Sequence, residues 1–238
     1  MRLCMFHPVD HPMERGWVGR IDGDRVIHLA AQTLQSLFTG GGTAREHAEY
    51  PLAGVHLLAP VLHPPAVRVF EDQTTFAFAN PAAILGPGAR VEGHDGGRLS
   101  FVPRLAGVVG ADGALAGFTG FVEWRDPTRV PPKDRDFALA LGPAVMTVGA
   151  LRPDGLSALV RDNAGLELTG AFVGFDWAAA VGLAGEGTTL RPGDLIVGPG
   201  VQLVEGIAPE TSIELDVEGI GTLVSSTTRL GVAGAGDC

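Results

Sequence analysis

The chain has 238 residues, of which 45% are hydrophobic and 18% charged, so it can bury one sizeable core together with a small accessory lobe. Its formal net charge is −10, which makes phosphate backbones and anionic membrane surfaces poor partners and excludes nucleic-acid binding as a function class. The high counts of glycine and proline, 35 and 17, favour many short strands joined by tight turns over a helical bundle.

The cysteine pattern and the apolar runs indicate a cytoplasmic protein without membrane contact. Cys4 and Cys238 lie near the two ends of the sequence and give neither a disulfide framework nor the spacing of a zinc site. His7, Pro8 and Asp10 interrupt the apolar start of the chain, so we expect no secretory signal. No segment approaches the ~20 consecutive apolar residues that a membrane-spanning helix requires.

The first predicted elements form a small N-terminal lobe over residues 1–55. Asp22 and Gly23 lie between two apolar runs, and an Asp-Gly pair in this setting is a strong signal for a β-hairpin. Residues 30–38 are compatible with a short helix that ends at a run of glycines, and residues 44–50 with a second helix. The prolines that follow act as breakers, and we place the lobe boundary near residue 55.

The predicted main domain covers residues 56–230, and a flexible tail covers residues 231–238. Its expected strands fall at residues 105–110, 116–122, 141–148, 157–162, 195–196 and 212–223. Residues 172–183 have helix-compatible spacing and are predicted to be the one clear helix of this domain. The predicted fold class is therefore mainly β, of the α+β type, with few helices.

Several segments resemble the fumarylacetoacetate hydrolase family. They occur in the family's order over residues 57–224, although no single segment is diagnostic, because sequences such as Gly-Pro-Gly are common in turns. The segments are Leu58-Ala59-Pro60-Val61, Phe78-Ala79-Asn80-Pro81, Ile84-Leu85-Gly86-Pro87-Gly88, residues 99–110, Ala116-Gly117-Phe118-Thr119, Leu141-Gly142-Pro143, residues 190–196 and residues 217–223.

This resemblance implies a mixed β-sandwich roll with a small N-terminal lobe and a homodimer. It also implies cleavage, decarboxylation or tautomerisation of small oxo-acids. In the family, two glutamates on one strand and an aspartate on the next hold a divalent metal ion. Carboxylate oxygens suit such a hard cation, which stabilises the enolate that forms as the bond breaks.

The sequence departs from the family at these metal-binding positions. The two glutamate positions correspond to Val102 and Arg104, and the third position corresponds to Glu123. Valine offers no ligand atom, and arginine brings a permanent positive charge. We therefore predict no metal and no other cofactor. The segment that carries a catalytic His in the family is shortened here and contains none; its acid, Glu71, is expected to be a solvated surface residue.

Lys133 is the one feature of the family site that is retained. It is the only lysine in the chain and matches the position of a substrate-facing lysine in the family. We predict that Arg104 and Lys133 bind an anionic small-molecule substrate or ligand, and that Lys133 and Glu123 are catalytic. An exposed lysine in a polar loop is the alternative interpretation of Lys133.

Two functional hypotheses remain open from the sequence. In the first, the protein is a metal-independent enzyme that acts on a small oxo-acid or another enolisable carbonyl compound. In the second, it is a non-catalytic homologue that binds a small anion or pairs with a partner subunit. If Lys133→Ala and Glu123→Ala both leave the biological activity intact, the enzyme hypothesis is lost.

Overall fold

The computed structural model of the chain describes residues 1–42, 45–93 and 97–228. The predicted tail at residues 231–238 lies outside these ranges. The elements of the first third, in chain order, are β1 (Arg2–Pro8), β2 (Trp17–Asp22), β3 (Arg25–Leu29), α1 (Leu34–Phe38), β4 (Glu46–Pro51), β5 (Val55–Leu58), β6 (Val67–Phe70) and β7 (Phe76–Ala79).

The remaining elements continue the mainly β architecture. They are β8 (Ile84–Leu85), β9 (Ala89–Glu92), β10 (Leu99–Val109), β11 (Leu115–Arg125), β12 (Leu139–Thr147), β13 (Leu156–Asp162), β14 (Glu167–Phe172), α2 (Trp177–Gly185), β15 (Leu195–Val197), β16 (Val204–Ile207), β17 (Ser212–Val217) and β18 (Gly221–Thr228). The predicted fold class is confirmed. Within the described ranges, neither helix has the length and apolar character needed to cross a bilayer.

The strands form two sheets. The larger has 13 strands and follows the order β4-β3-β2-β1-β12-β11-β10-β15-β6-β7, with β5, β8 and β16 paired at its sides. The smaller has five strands in the order β14-β13-β17-β18-β9. Most pairs are antiparallel, and β6 runs parallel to β15. The N-terminal strands join the larger sheet through the pairing of β1 with β12, and the predicted boundary near residue 55 stays a prediction.

The long strand β10 is buried along its whole length and separates two apolar cores. Phe101 and Leu105 belong to the core that includes the smaller sheet. Ala106 and Val108 belong to a second core, which β1, β6 and β15 also line. Since side chains alternate between the two faces of a strand, Arg104 shares the face of Ala106. A charged side chain at such a position requires partners, because an unpaired buried charge is strongly unfavourable.

Local turn chemistry explains the elements that the sequence predicted well. The hairpin at Asp22 and Gly23 is confirmed: Asp22 pairs with Arg25, and Gly23 adopts a positive φ of 59°. The short helix predicted at residues 30–38 is present only over residues 34–38 as α1, whose N-cap Thr33 accepts a hydrogen bond from the Ser36 amide.

Two helix predictions need correction. Residues 46–51 form strand β4 instead of the helix predicted at residues 44–50, because they pair with β3 and bring Tyr50 against Phe6. Such tertiary pairing overrides weak local helix propensity in a segment this short. In the predicted helix at residues 172–183, Phe172 still belongs to β14, and the helix begins after Asp176, which caps it.

Candidate functional site

The site is built on the face of the larger sheet where Arg104 and Glu123 meet. Strand β10 pairs with β11 so that Val102 lies opposite Glu123 and Arg104 lies opposite Phe121. Arg104 and Glu123 are therefore diagonal neighbours on one face. Arg104 Nε donates a hydrogen bond of 2.8 Å to Glu123 Oε2. The side chains are 1% and 2% exposed, so this is a buried ion pair.

Backbone carbonyls at the ends of two further strands also contact Arg104. Its Nη1 donates to the carbonyl oxygens of Phe70 at 3.1 Å and Gly198 at 3.2 Å. Phe70 is the last residue of β6, and Gly198 follows β15 directly. Because β15 pairs with both β10 and β6, the ends of the two strands come together at Arg104. The sheet order thus determines where the guanidinium group lies.

Glu71 occupies the remaining donors of Arg104. Arg104 Nη2 lies 2.9 Å from each carboxylate oxygen of Glu71, so all three guanidinium nitrogens have acceptors within 3.2 Å. The sequence predicted a solvated surface acid at this position; the side chain is 54% exposed, yet it forms ion pairs. As a result, Arg104 can bind a substrate directly only if one of these acceptors moves away.

Two more arginines, which the sequence analysis missed, complete the group. Arg125 Nε donates to Glu123 Oε1 at 3.2 Å, and its Nη2 donates to Glu71 Oε1 at 3.1 Å. Arg135 Nη1 lies 3.8 Å from Glu71 and 3.9 Å from Glu123. We call these five residues, Glu71, Arg104, Glu123, Arg125 and Arg135, the arginine–glutamate cluster. Three cations against two carboxylates leave the cluster with one net positive charge.

The charges of the cluster control the ionisation of its exposed members. Burial by itself would raise the pKa of Glu71, but the positive charges of Arg104, Arg125 and Arg135 hold that pKa below its ordinary value. Burial would lower the pKa of Arg125, and the Glu123 and Glu71 carboxylates outweigh it and raise that pKa. Glu71 is therefore a carboxylate at neutral pH and too weak a base to be an effective proton acceptor.

The residues present do not fit the divalent metal ion that the resemblance implies. Of the three expected ligand positions, only Glu123 carries a carboxylate, and the Arg104 and Arg125 guanidinium groups already occupy its two oxygens. In the described part of the chain, no three His, Cys, Asp or Glu side chains are placed together to hold a metal ion. A hard cation would face three guanidinium charges here, which oppose its binding.

The loop after β15 closes tightly over Val102. A Cβ atom placed on Gly200 would lie only 2.1 Å from Val102 Cγ1, so the close approach of loop and strand depends on glycine. Residues 198–200 of this loop carry no hydroxyl group or charged side chain. The space beside Val102, the first expected metal-ligand position, is thus filled by an apolar contact.

Lys133 lies outside the cluster as the structure describes it. Its ammonium group pairs with Asp136 at 2.8 Å, and its side chain is 65% exposed. In the described chain, the cations that contact Glu71 and Glu123 are Arg104, Arg125 and Arg135. The structure thus brings together Arg104 and Glu123 of the predicted site residues, while Lys133 is two positions from the cluster member Arg135.

Similarity to solved structures identifies the fold. No family model and no curated protein matches the sequence. A 5-carboxymethyl-2-hydroxymuconate delta-isomerase from Mycobacterium smegmatis superimposes with a TM-score of 0.77 at 22% identity, over 97% of this chain and 100% of that one. Fumarylacetoacetate hydrolase from Exiguobacterium antarcticum gives a TM-score of 0.77 at 18% identity, with the same coverage of both chains. The chain has the fumarylacetoacetate hydrolase fold.

A third structure with the fumarylacetoacetate hydrolase fold carries ligands. Maleylpyruvate hydrolase from Sphingobium sp. SYK-6, in complex with a manganese(II) ion and pyruvate, gives a TM-score of 0.76 at 19% identity, over 97% of this chain and 100% of that one. Identities this low establish the fold alone. The activity of the present chain has to be argued from its own site.

Proposed function

We propose that this chain is an enzyme of the fumarylacetoacetate hydrolase fold that acts without a divalent metal on a small oxo-acid or another enolisable carbonyl compound. Proteins of the same fold include a maleylpyruvate hydrolase in complex with manganese and pyruvate and a 5-carboxymethyl-2-hydroxymuconate delta-isomerase, which supports this class of substrate. The observation that carries the proposal is the buried guanidinium group of Arg104, paired with Glu123 at the position expected for the metal ligands.

The proposed chemistry uses the excess positive charge of the arginine–glutamate cluster. Cleavage or proton removal next to a carbonyl group places negative charge on the carbonyl oxygen, and fixed cations in a poorly solvated site stabilise that charge. Arg125 and Arg135 are the partly exposed cations of the cluster, with side chains that are 21% and 36% exposed. They would contact the substrate first, whereas Arg104 lies beneath them.

Lys133 and Glu123 have different places in this proposal. Lys133 is an exposed side chain and would donate a proton to the substrate after its ion pair with Asp136 breaks. The oxygens of Glu123 are covered by Arg104 and Arg125, so the present geometry supports a role in orienting the two guanidinium groups. Its predicted role in proton transfer requires one arginine to move. The cytoplasmic location and the homodimer also stay predictions.

Turnover of 2-oxo and diketo acids in the presence of a chelator tests the proposal. We expect oxaloacetate or an acylpyruvate to be consumed equally fast with and without excess EDTA, by protein that contains no stoichiometric manganese or magnesium. Lys133→Ala should lower kcat, and Arg161→Ala, a substitution in an exposed ion pair with Glu167, should leave it unchanged. Metal at one equivalent per chain and activity abolished by EDTA would overturn the proposal.

A second candidate function is supported by the hydrogen bonding of Arg104, which has no free donor nitrogen in the described chain. Every guanidinium nitrogen of Arg104 has an acceptor, and Glu123 is buried, an arrangement that also suits a non-catalytic protein that binds a small anion. This alternative predicts anion binding without turnover of any oxo-acid in the panel. It also predicts that Lys133→Ala leaves the biological activity unchanged.

A further inference from the structure

The carboxylate of Glu71 lies among three guanidinium groups. Its oxygens are 2.9 Å from Arg104 Nη2, 3.1 Å from Arg125 Nη2 and 3.8 Å from Arg135 Nη1. We call this arrangement of three donor groups the carboxylate cage. Both oxygens of Glu71 contact the same Arg104 nitrogen, so the cage receives a planar carboxylate from its open side.

The backbone that carries Glu71 is anchored, while its side chain is half exposed. The next residue, Asp72, accepts hydrogen bonds from the amides and hydroxyl groups of Thr74 and Thr75. Gln73 is joined to Asp176 by two hydrogen bonds, of 2.8 and 3.0 Å. The Glu71 side chain can therefore leave the cage by rotating into solvent, without any displacement of the turn between β6 and β7.

The charge balance favours exchange of one carboxylate for another. If Glu71 rotates away, three guanidinium groups face the single carboxylate of Glu123, which leaves two net positive charges around the buried pair of Arg104 and Glu123. An incoming carboxylate restores the original balance and the charge-assisted hydrogen bonds. The displaced Glu71 carboxylate is solvated by water, so no unpaired charge is buried.

We propose that Glu71 is the internal occupant of a carboxylate-binding site, and that the carboxylate group of a small oxo-acid binds there by displacing it. This inference rests on the proposed function, since it names how the same site takes its ligand. Glu71 competes as a tethered anion, and the apparent affinity for the ligand is reduced by the fraction of time for which the cage is free.

Calorimetric titration with pyruvate tests the exchange. Glu71→Gln removes the competing charge, and we expect it to bind pyruvate at least about tenfold more tightly than the unmodified chain, which corresponds to a cage that is free for about a tenth of the time. Glu167→Gln is the matched control, because it changes the net charge equally in an exposed ion pair with Arg161. Its affinity should be unchanged.

Two results would overturn the proposal. One is that Glu71→Gln binds pyruvate no more tightly than the unmodified chain, or gains no more affinity than Glu167→Gln does. Either outcome would show that Glu71 does not compete specifically with the ligand. The other is equal tightening for sulfate and pyruvate, which would indicate a general anion site. Glu71→Asp keeps the charge on a shorter side chain, and its affinity should lie between those of the unmodified chain and Glu71→Gln.

Binding and turnover separate this inference from the proposed function. Tight pyruvate binding by Glu71→Gln, without turnover of any oxo-acid, would support the cage and refute the enzyme. Turnover that persists while Glu71→Gln binds no more tightly would refute the cage alone. Circular dichroism and thermal unfolding of each variant establish that the comparison is made between folded proteins.

Discussion

Replacing Arg104 with methionine gives the strongest test of the buried cluster. Methionine keeps an unbranched side chain in the core but removes every donor. Glu123, at 2% exposure, would retain only Arg125 as a close partner, and the carbonyl groups of Phe70 and Gly198 would lose the hydrogen bonds that Arg104 donates. Removal of one partner from a buried ion pair costs about 3–5 kcal/mol. We expect a loss of that size in the free energy of unfolding.

Urea denaturation with linear extrapolation measures this loss. Arg161→Met is the control, because it removes an arginine from an exposed pair with Glu167; it should change the unfolding free energy by no more than ~0.5 kcal/mol. Arg104→Met combined with Glu123→Leu removes both buried charges, and it should be more stable than Arg104→Met alone. A loss below ~1 kcal/mol for Arg104→Met would refute the buried ion pair.

Three further predictions concern ionisation, packing and reactivity. The pKa of Glu71 is lower in the folded state than its ordinary value near 4.5. The Glu71 carboxylate therefore stabilises the fold fully above that ordinary value, and this stabilisation is lost as the pH falls through the pKa of the folded state. The free energy of unfolding of Glu71→Gln should accordingly fall less steeply on acidification than that of the unmodified chain. Gly200→Ala should destabilise by about 1–3 kcal/mol through overpacking, and Val102→Ala in the same chain should restore part of the loss in urea denaturation. Burial raises the pKa of Cys4 to about 12, so in a Cys238→Ser background a thiol reagent such as DTNB should react only after unfolding; rapid labelling of the folded protein would contradict this.

Local signals in the sequence predicted those parts of the fold whose geometry is set within a few residues. The hairpin at Asp22 and Gly23 needs only a turn with positive φ between two apolar runs. Strand β4 was missed because its conformation depends on pairing with β3, and residues 46–51 carry no strong local preference. The family resemblance assigned Arg104 and Glu123 to one site, and the register of β10 and β11 brings them together as diagonal neighbours.

The partners of the cluster could be predicted only in part. Arg125 is two residues after Glu123 on the same strand, and this spacing was an available signal that Arg125 shares its face. Nothing local connects Glu71 to Arg104, which is 33 positions away; they meet because β15 lies between β6 and β10 in the sheet. Glu71 is exposed, as predicted, but its ion pair with Arg104 was not predicted, because that partner comes from a distant strand.

A guanidinium group and a bound metal ion provide positive charge in different ways. A bound divalent ion needs an excess of carboxylates and can be removed by a chelator, whereas the charge of Arg104 is permanent at every physiological pH. Here the balance of fixed charges is reversed, with three arginines around two glutamates. Glu123 alone would leave two net positive charges in the cluster. Glu71, at the half-exposed turn after β6, provides a second counter-charge. In the proposed exchange, the residue that balances the charge of the cluster is therefore also the one that a carboxylate ligand replaces.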